Sequence, residues 1–216
     1  MSIVGGGRSL VSIAEGGLSH AGMATARYTA QTMPVVVAML RGVNVGGHNI
    51  VKMETLRALC EALDCRQPRT YVQSGNVVFS TKQKNIKRLS KDIAQVIEKE
   101  LGFRPEVILR SYPEMRDIVA KDPFAKRREI PGNKLLVAFL GGEPDPEARD
   151  QLRNLKAGPE EFHLGGRELY IYYPNGVGRS KLSFALIERI LRTPVTGRNW
   201  NTVTKLLEMA EEAEGD

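Results

Sequence analysis

The chain has 216 residues and a mass of 23.9 kDa, with 42% apolar and 26% charged residues, proportions that fit a globular protein and argue against a wholly disordered or fibrous one. No stretch approaches the roughly 20 apolar residues that cross a bilayer, so a cytoplasmic location with no membrane partner is expected. The formal charge of +6 is uneven: residues 1–33 contribute +1 and the five acids of 206–216 contribute −5, so residues 34–205 carry +10, a balance that favours phosphate-bearing partners such as a nucleotide or a nucleic acid.

Residues 1–32 are rich in Gly, Ser and Ala and have no sustained period, which predicts a disordered N-terminal extension. They lack the compact apolar stretch and cleavage site of a signal peptide, and Met33 stands as a second candidate start. Val35 to Leu40 is a short continuous apolar run, the mark of a strand covered on both faces. Met53, Leu56, Leu59, Cys60 and Leu63 recur at helical spacing. Cys60 and Cys65 fit neither a C-x-x-C nor a zinc pattern, so reduced thiols are expected, with no metal and no cofactor.

Two β-favouring runs follow, Arg69 to Gln73 and Asn76 to Ser80, joined by a tight turn at Ser74-Gly75. Ile86 to Leu101 is the clearest amphipathic helix, ended by Gly102, and Glu106 to Arg110 reads as a strand. The order β-α-β-β-α-β is that of the ferredoxin-like plait. A second set comprises a helix near 113–121, a strand at 134–140 and a helix at 146–155. It continues with a hairpin, 161–164 and 168–173, turned at Gly165-Gly166, and helices at 182–191 and 201–213. The expected class is α+β: two tandem ferredoxin-like (α/β plait) subdomains, 33–111 and 112–216, the second incomplete and carrying an extra C-terminal helix.

Four small, polar, glycine-bearing stretches contain no acid: 41–49, 73–76, 175–181 and 196–202. Such loops leave backbone N–H groups free to face an anion. The candidate ligand-binding residues are Arg41, Gly42, Asn44, Gly46 and Gly47 in the first stretch and Gln73, Ser74 and Asn76 in the second. Arg179, Ser180 and Lys181 come from the third, and Arg198, Asn199 and Trp200 from the fourth. The first and third are expected to form two walls of one basic site. Neither has the spacing of a phosphate-binding P-loop or a dinucleotide fingerprint.

Trp200 reads as a stacking platform or, more simply, as a packing anchor, and Asn199 or Asn201 as a helix cap. Catalytic signals are sparse. His48 is the one histidine in a candidate loop, and Ser74 and Ser180 lack a nucleophile elbow, so no catalytic residue is assigned. Tyr170 and Tyr172 alternate onto one strand face, a faint echo of base-stacking sheets.

Taken together, 40–47 (Leu-Arg-Gly-Val-Asn-Val-Gly-Gly), 71–79 (Tyr-Val-Gln-Ser-Gly-Asn-Val-Val-Phe), 178–181 (Gly-Arg-Ser-Lys) and 198–202 (Arg-Asn-Trp-Asn-Thr) resemble a widespread bacterial family, domain of unknown function 1697, over about 34–209. The resemblance implies two ferredoxin-like subdomains and brings no established activity. The leading expectation is binding of a phosphate-bearing ligand. Behind it stand an enzyme acting on a small anionic substrate, with His48 or Ser74 participating, and an assembly protein of undetermined oligomeric state.

Overall fold

The computed structural model describes residues 33–156 and 158–215; the expected extension, 1–32, lies outside the described residues. The first half runs β1 (Val35–Leu40), α1 (Met53–Glu61), β2 (Arg66–Tyr71), β3 (Asn76–Ser80), α2 (Ile86–Leu101) and β4 (Val107–Ser111). Its strands form an antiparallel sheet in the order β2-β3-β1-β4. Strand β2 sits at the edge, where Pro68 removes a donor and the register slips between Arg66 and Arg69. The strand begins three residues and ends two residues earlier than the stretch expected from its β-favouring composition.

The second half runs α3 (Tyr112–Ala120), β5 (Leu135–Leu140), α4 (Pro146–Arg153), β6 (Glu161–Gly165), β7 (Glu168–Tyr172), a 3-10 turn (Val177–Arg179), α5 (Phe184–Leu191), β8 (Val195–Asn199) and α6 (Trp200–Gly215). The second sheet, β6-β7-β5-β8, repeats the order of the first. Strand β8 corrects the expectation of an incomplete second unit: the stretch expected as a glycine loop pairs with β5 over Val195 to Asn199. Gly197 is a strand residue because the Phe184 ring covers it, leaving no room for a Cβ.

Helix α6 follows β8 directly, as α3 follows β4. Ser111 and Asn199 are the capping residues: Ser111 forms a capping box with Glu114, and the Asn199 side chain accepts from the Thr202 amide at 2.9 Å. The expected extra terminal helix thus has a counterpart after β4.

Alternation along the two central strands explains their continuous apolar sequences. Val36, Ala38 and Leu40 face α1 and α2, while Val35, Val37 and Met39 face a core containing Met115 and Ile118 of α3 and Val203, Leu206 and Met209 of α6. Likewise Leu136, Ala138 and Leu140 face α4 and α5, and Leu135, Val137 and Phe139 share the middle core. Each sheet is therefore covered on both faces. Tyr170 is buried in this middle core and donates its hydroxyl to the Ile118 carbonyl at 2.8 Å, so the tyrosine face is closed to base stacking.

Candidate functional site

The segment after β1 is a loop stitched to itself. Gly42, Asn44, Gly46, Gly47 and Asn49 all have positive φ, between 51° and 79°. Glycine adopts this region freely and Asn tolerates it, which accounts for the composition. Asn44 is the staple: its amide nitrogen donates to the carbonyls of Val51 (2.9 Å) and Gln73 (3.0 Å), and its oxygen accepts from the Val51 amide (2.8 Å). The Asn49 side chain donates to the Gly42 carbonyl, closing the loop base. Arg41 pairs with Glu188 of α5 at 2.6 Å, so its charge is partnered.

The β2-β3 turn packs against this loop. A Cβ on Gly75 would lie 2.5 Å from Val43 Cγ2 and 2.8 Å from Leu40 Cβ, and φ there is +68°, so only glycine fits. Val72 has φ +48°, an unusual conformation for a β-branched residue, costing about 1–3 kcal/mol. Ser74 Oγ accepts from the Asn76 side chain at 2.7 Å.

Beneath both segments lies Arg198 of β8, 9% exposed. Its Nε donates to Asn76 Oδ1 (2.5 Å), Nη1 to Thr196 Oγ1 and Gly197 O, and Nη2 to the carbonyls of Leu40 (2.9 Å) and Ser74 (3.1 Å). A strand of the second sheet thereby clamps the end of β1 and the β2-β3 turn of the first. Arg110 makes the reciprocal clamp: Nη2 donates to the Leu140 and Arg167 carbonyls, and Nε donates to Glu168 at 2.8 Å. Arg110 stands opposite Val37 and Arg198 opposite Val137, equivalent registers in the two sheets.

The two clamps differ in charge. Arg110 has the Glu168 carboxylate; every acceptor of Arg198 is neutral. Burial alone pulls the Arg198 guanidinium down to about 10. For Arg110 burial also pushes downward, opposed by Glu168.

These pieces surround a cleft of about 360 Å³. Gly42, Val43 and Val45 come from the first loop, Val72 and Ser74 from the turn, and Gly197, Arg198, Asn199 and Thr202 from the second sheet. Its walls contain no acid. The large apolar side chains most exposed among the described residues are Val45 (66%), Ile50 (58%) and Val72 (54%), and Val45 and Val72 line the cleft. Three of the four acid-free stretches thus meet in one place.

The fourth stretch lies elsewhere. Asn175, Arg179 and Lys181 border a separate basin with Lys156 and Glu160, sharing no residue with the cleft. The expected pairing of 41–49 with 175–181 is therefore replaced by a pairing with the 72–76 turn and β8. Sequence reasoning could not choose among loops of like composition without knowing the strand order.

Ser180 Oγ accepts from the Leu182 amide, a local turn bond. Trp200 packs against the middle core while its amide donates to Gly132 O, and Asn199 caps α6. Gly46, Gly47, His48 and Gln73 are exposed around the loop tip and turn. Arg110 carries no signal of its own in the sequence, because an arginine ending a strand looks unexceptional. The signal was its recurrence: Arg110-Ser111-Tyr112 and Arg198-Asn199-Trp200 fall at matching positions.

Another cavity, of about 590 Å³, lies between α3 and the β6-β7 hairpin, with Asp117, Lys121, His163 and Arg167 on its walls. Its charges are mutually satisfied: Lys121 pairs with Asp117 and Arg167 with Glu114. Among the described residues, no three His, Cys, Asp or Glu side chains group to hold a metal, and no helix is long and apolar enough to cross a membrane.

A search of curated proteins returns no match. Among solved structures, the chain is similar to a conserved bacterial protein from Streptococcus pneumoniae. The TM-score is 0.63 and the identity 20%, and the match covers 83% of this chain and 99% of that one. A likeness at this identity concerns the fold. The family model described as "Protein of unknown function (DUF1697)" matches residues 33–170, which take in β1, β3 and β5 and end within β7. The chain belongs to the DUF1697 family.

Proposed function

We propose that the cleft between the 41–51 loop, the 72–76 turn and the start of α6 binds an anionic ligand of the nucleotide class. The observation that carries this reading is the convergence of three acid-free stretches over a buried arginine with no carboxylate partner. Arg198 has all five donors engaged by protein, so it attracts an anion by charge through low-dielectric surroundings rather than by direct hydrogen bonds. Direct contacts fall to Ser74, Thr202 and the loop backbone, while exposed Val45 and Val72 offer an apolar seat for a base. Backbone strain at Val72 supports a functional role for the turn, since strain of this kind collects at binding sites.

The same reading treats the two halves as ferredoxin-like units. The repeated sheet order and the helix after each final strand support a division in which α3 closes the first unit and α6 the second, rather than a cut after residue 111. Titration of the full chain with a nucleoside triphosphate at low salt, followed by Trp200 fluorescence, tests the site. Binding that Val45→Asp weakens at least tenfold supports the reading, and wild-type affinity in that variant refutes it.

A further inference from the structure

The basin bordered by the 175–181 segment is a second built site, independent of the loop cleft. It has a volume of about 630 Å³, and its cations are Lys156, Arg179 and Lys181, with Glu160 as the acid on its wall. None of the three cations forms an ion pair among the described residues, whereas Arg41, Arg69, Arg110, Arg127, Arg149 and Arg167 each do. Other arginines, among them Arg57, Arg66, Arg116 and Arg128, also stand outside the ion pairs; what sets Lys156, Arg179 and Lys181 apart is that the three converge on one basin with a single acid.

The backbone presenting them is fixed from both ends. Lys134 Nζ donates to the Pro174 carbonyl at 2.7 Å, and the buried Tyr173 hydroxyl donates to the Leu182 carbonyl at 2.9 Å. Between these anchors, Gly176 takes φ +83°, and a 3-10 turn is closed by the Arg179 and Ser180 amides on Gly176 O and Val177 O. The Ser183 side chain then caps α5. The loop is held in place while Arg179 and Lys181 remain exposed at its surface. A held loop presenting unmatched cations loses little conformational freedom when an anion arrives.

We propose that this basin binds a phosphomonoester group carried on a small organic body. Three cations and one carboxylate leave a net +2 on the lining, which matches the charge of about −1.5 to −2 on a phosphomonoester at neutral pH. A volume of this size exceeds a bare phosphate and falls within the range of small-molecule sites. Asn175 supplies both a donor and an acceptor for the attached body.

The test uses the full chain, isotope-labelled, with amide chemical shifts recorded at low salt. Methyl phosphate, a dianion, is expected to shift the amides of Lys156, Gly158, Glu160 and 175–182 and to bind at least tenfold more tightly than dimethyl phosphate, a monoanion of similar size. Arg179→Gln/Lys181→Gln, at two exposed positions, is expected to leave the unfolding midpoint unchanged and to abolish those shifts. Val45→Asp is expected to leave them intact, which separates this site from the loop cleft. A nucleoside 5′-monophosphate and a hexose phosphate then compete, and the tighter of the two names the body. Equal affinity for the two methyl esters, shifts that survive in the double variant, or shifts confined to 42–51 would each overturn the proposal.

Discussion

Arg198→Met and Arg110→Met are expected to destabilise the protein unequally, although the two arginines occupy equivalent registers. Replacing Arg198 leaves the Leu40 and Ser74 carbonyls and Asn76 Oδ1 without their donor, at about 1–3 kcal/mol per buried acceptor. The same change removes a buried charge that has no acid partner. A guanidinium held down at about 10 implies a recovery of about 3 kcal/mol when that charge is gone. Three such acceptors cost about 3–9 kcal/mol in all, so the net loss centres on about 3 kcal/mol. Replacing Arg110 also orphans three carbonyls, Leu109, Leu140 and Arg167, but it strands the Glu168 carboxylate as well. Breaking a buried pair from one side costs about 3–5 kcal/mol on top of those carbonyls, so a loss several kcal/mol larger than at Arg198→Met is expected. Urea unfolding at pH 7 measures both. A loss at Arg198→Met equal to or larger than that at Arg110→Met would refute the uncompensated-charge account of the cleft floor.

Val72→Gly relieves the strained φ of +48° and is expected to stabilise the fold by about 1 kcal/mol in thermal unfolding while weakening ligand binding in the cleft. Gly75→Ala meets Val43 and Leu40 and is expected to cost about 2 kcal/mol or more, with altered loop amide shifts as the readout. Burial pushes the Cys60 thiol up to about 12 and Cys65 to about 11. Because these folded values exceed those of the unfolded chain, the contribution is intact below pH 9 and is lost as pH rises toward 11–12. Cys60→Ala is expected to flatten that alkaline slope in urea titrations, and an unchanged slope would contradict the burial argument.

Periodicity located the regular elements because burial on one or two faces dictates it. The runs 35–40 and 134–140 announced central strands, and Ile86 to Leu101 a helix, within a residue or so of their observed bounds. Strand β8 was not legible because Gly197, Arg198 and Asn199 are loop-forming residues in isolation. Their strand conformation is imposed by Phe184 packing and by pairing with β5, both distant in sequence. The cleft was half legible: composition singled out 41–49, 73–76 and 196–202, but their meeting depends on β3 and β4 flanking β1 and on Arg198 crossing between sheets. The same glycine-and-base composition at 175–181 gave the wrong partner, since composition carries no information about position.

The central claim is that the loop cleft is a ligand site, and amide shift mapping of the full chain with a nucleoside triphosphate at low salt tests it most directly. Shifts concentrated at 42–51, 72–76 and 197–202 are the expected result. Shifts confined to the 156–181 basin, or none at any of these positions, would contradict it.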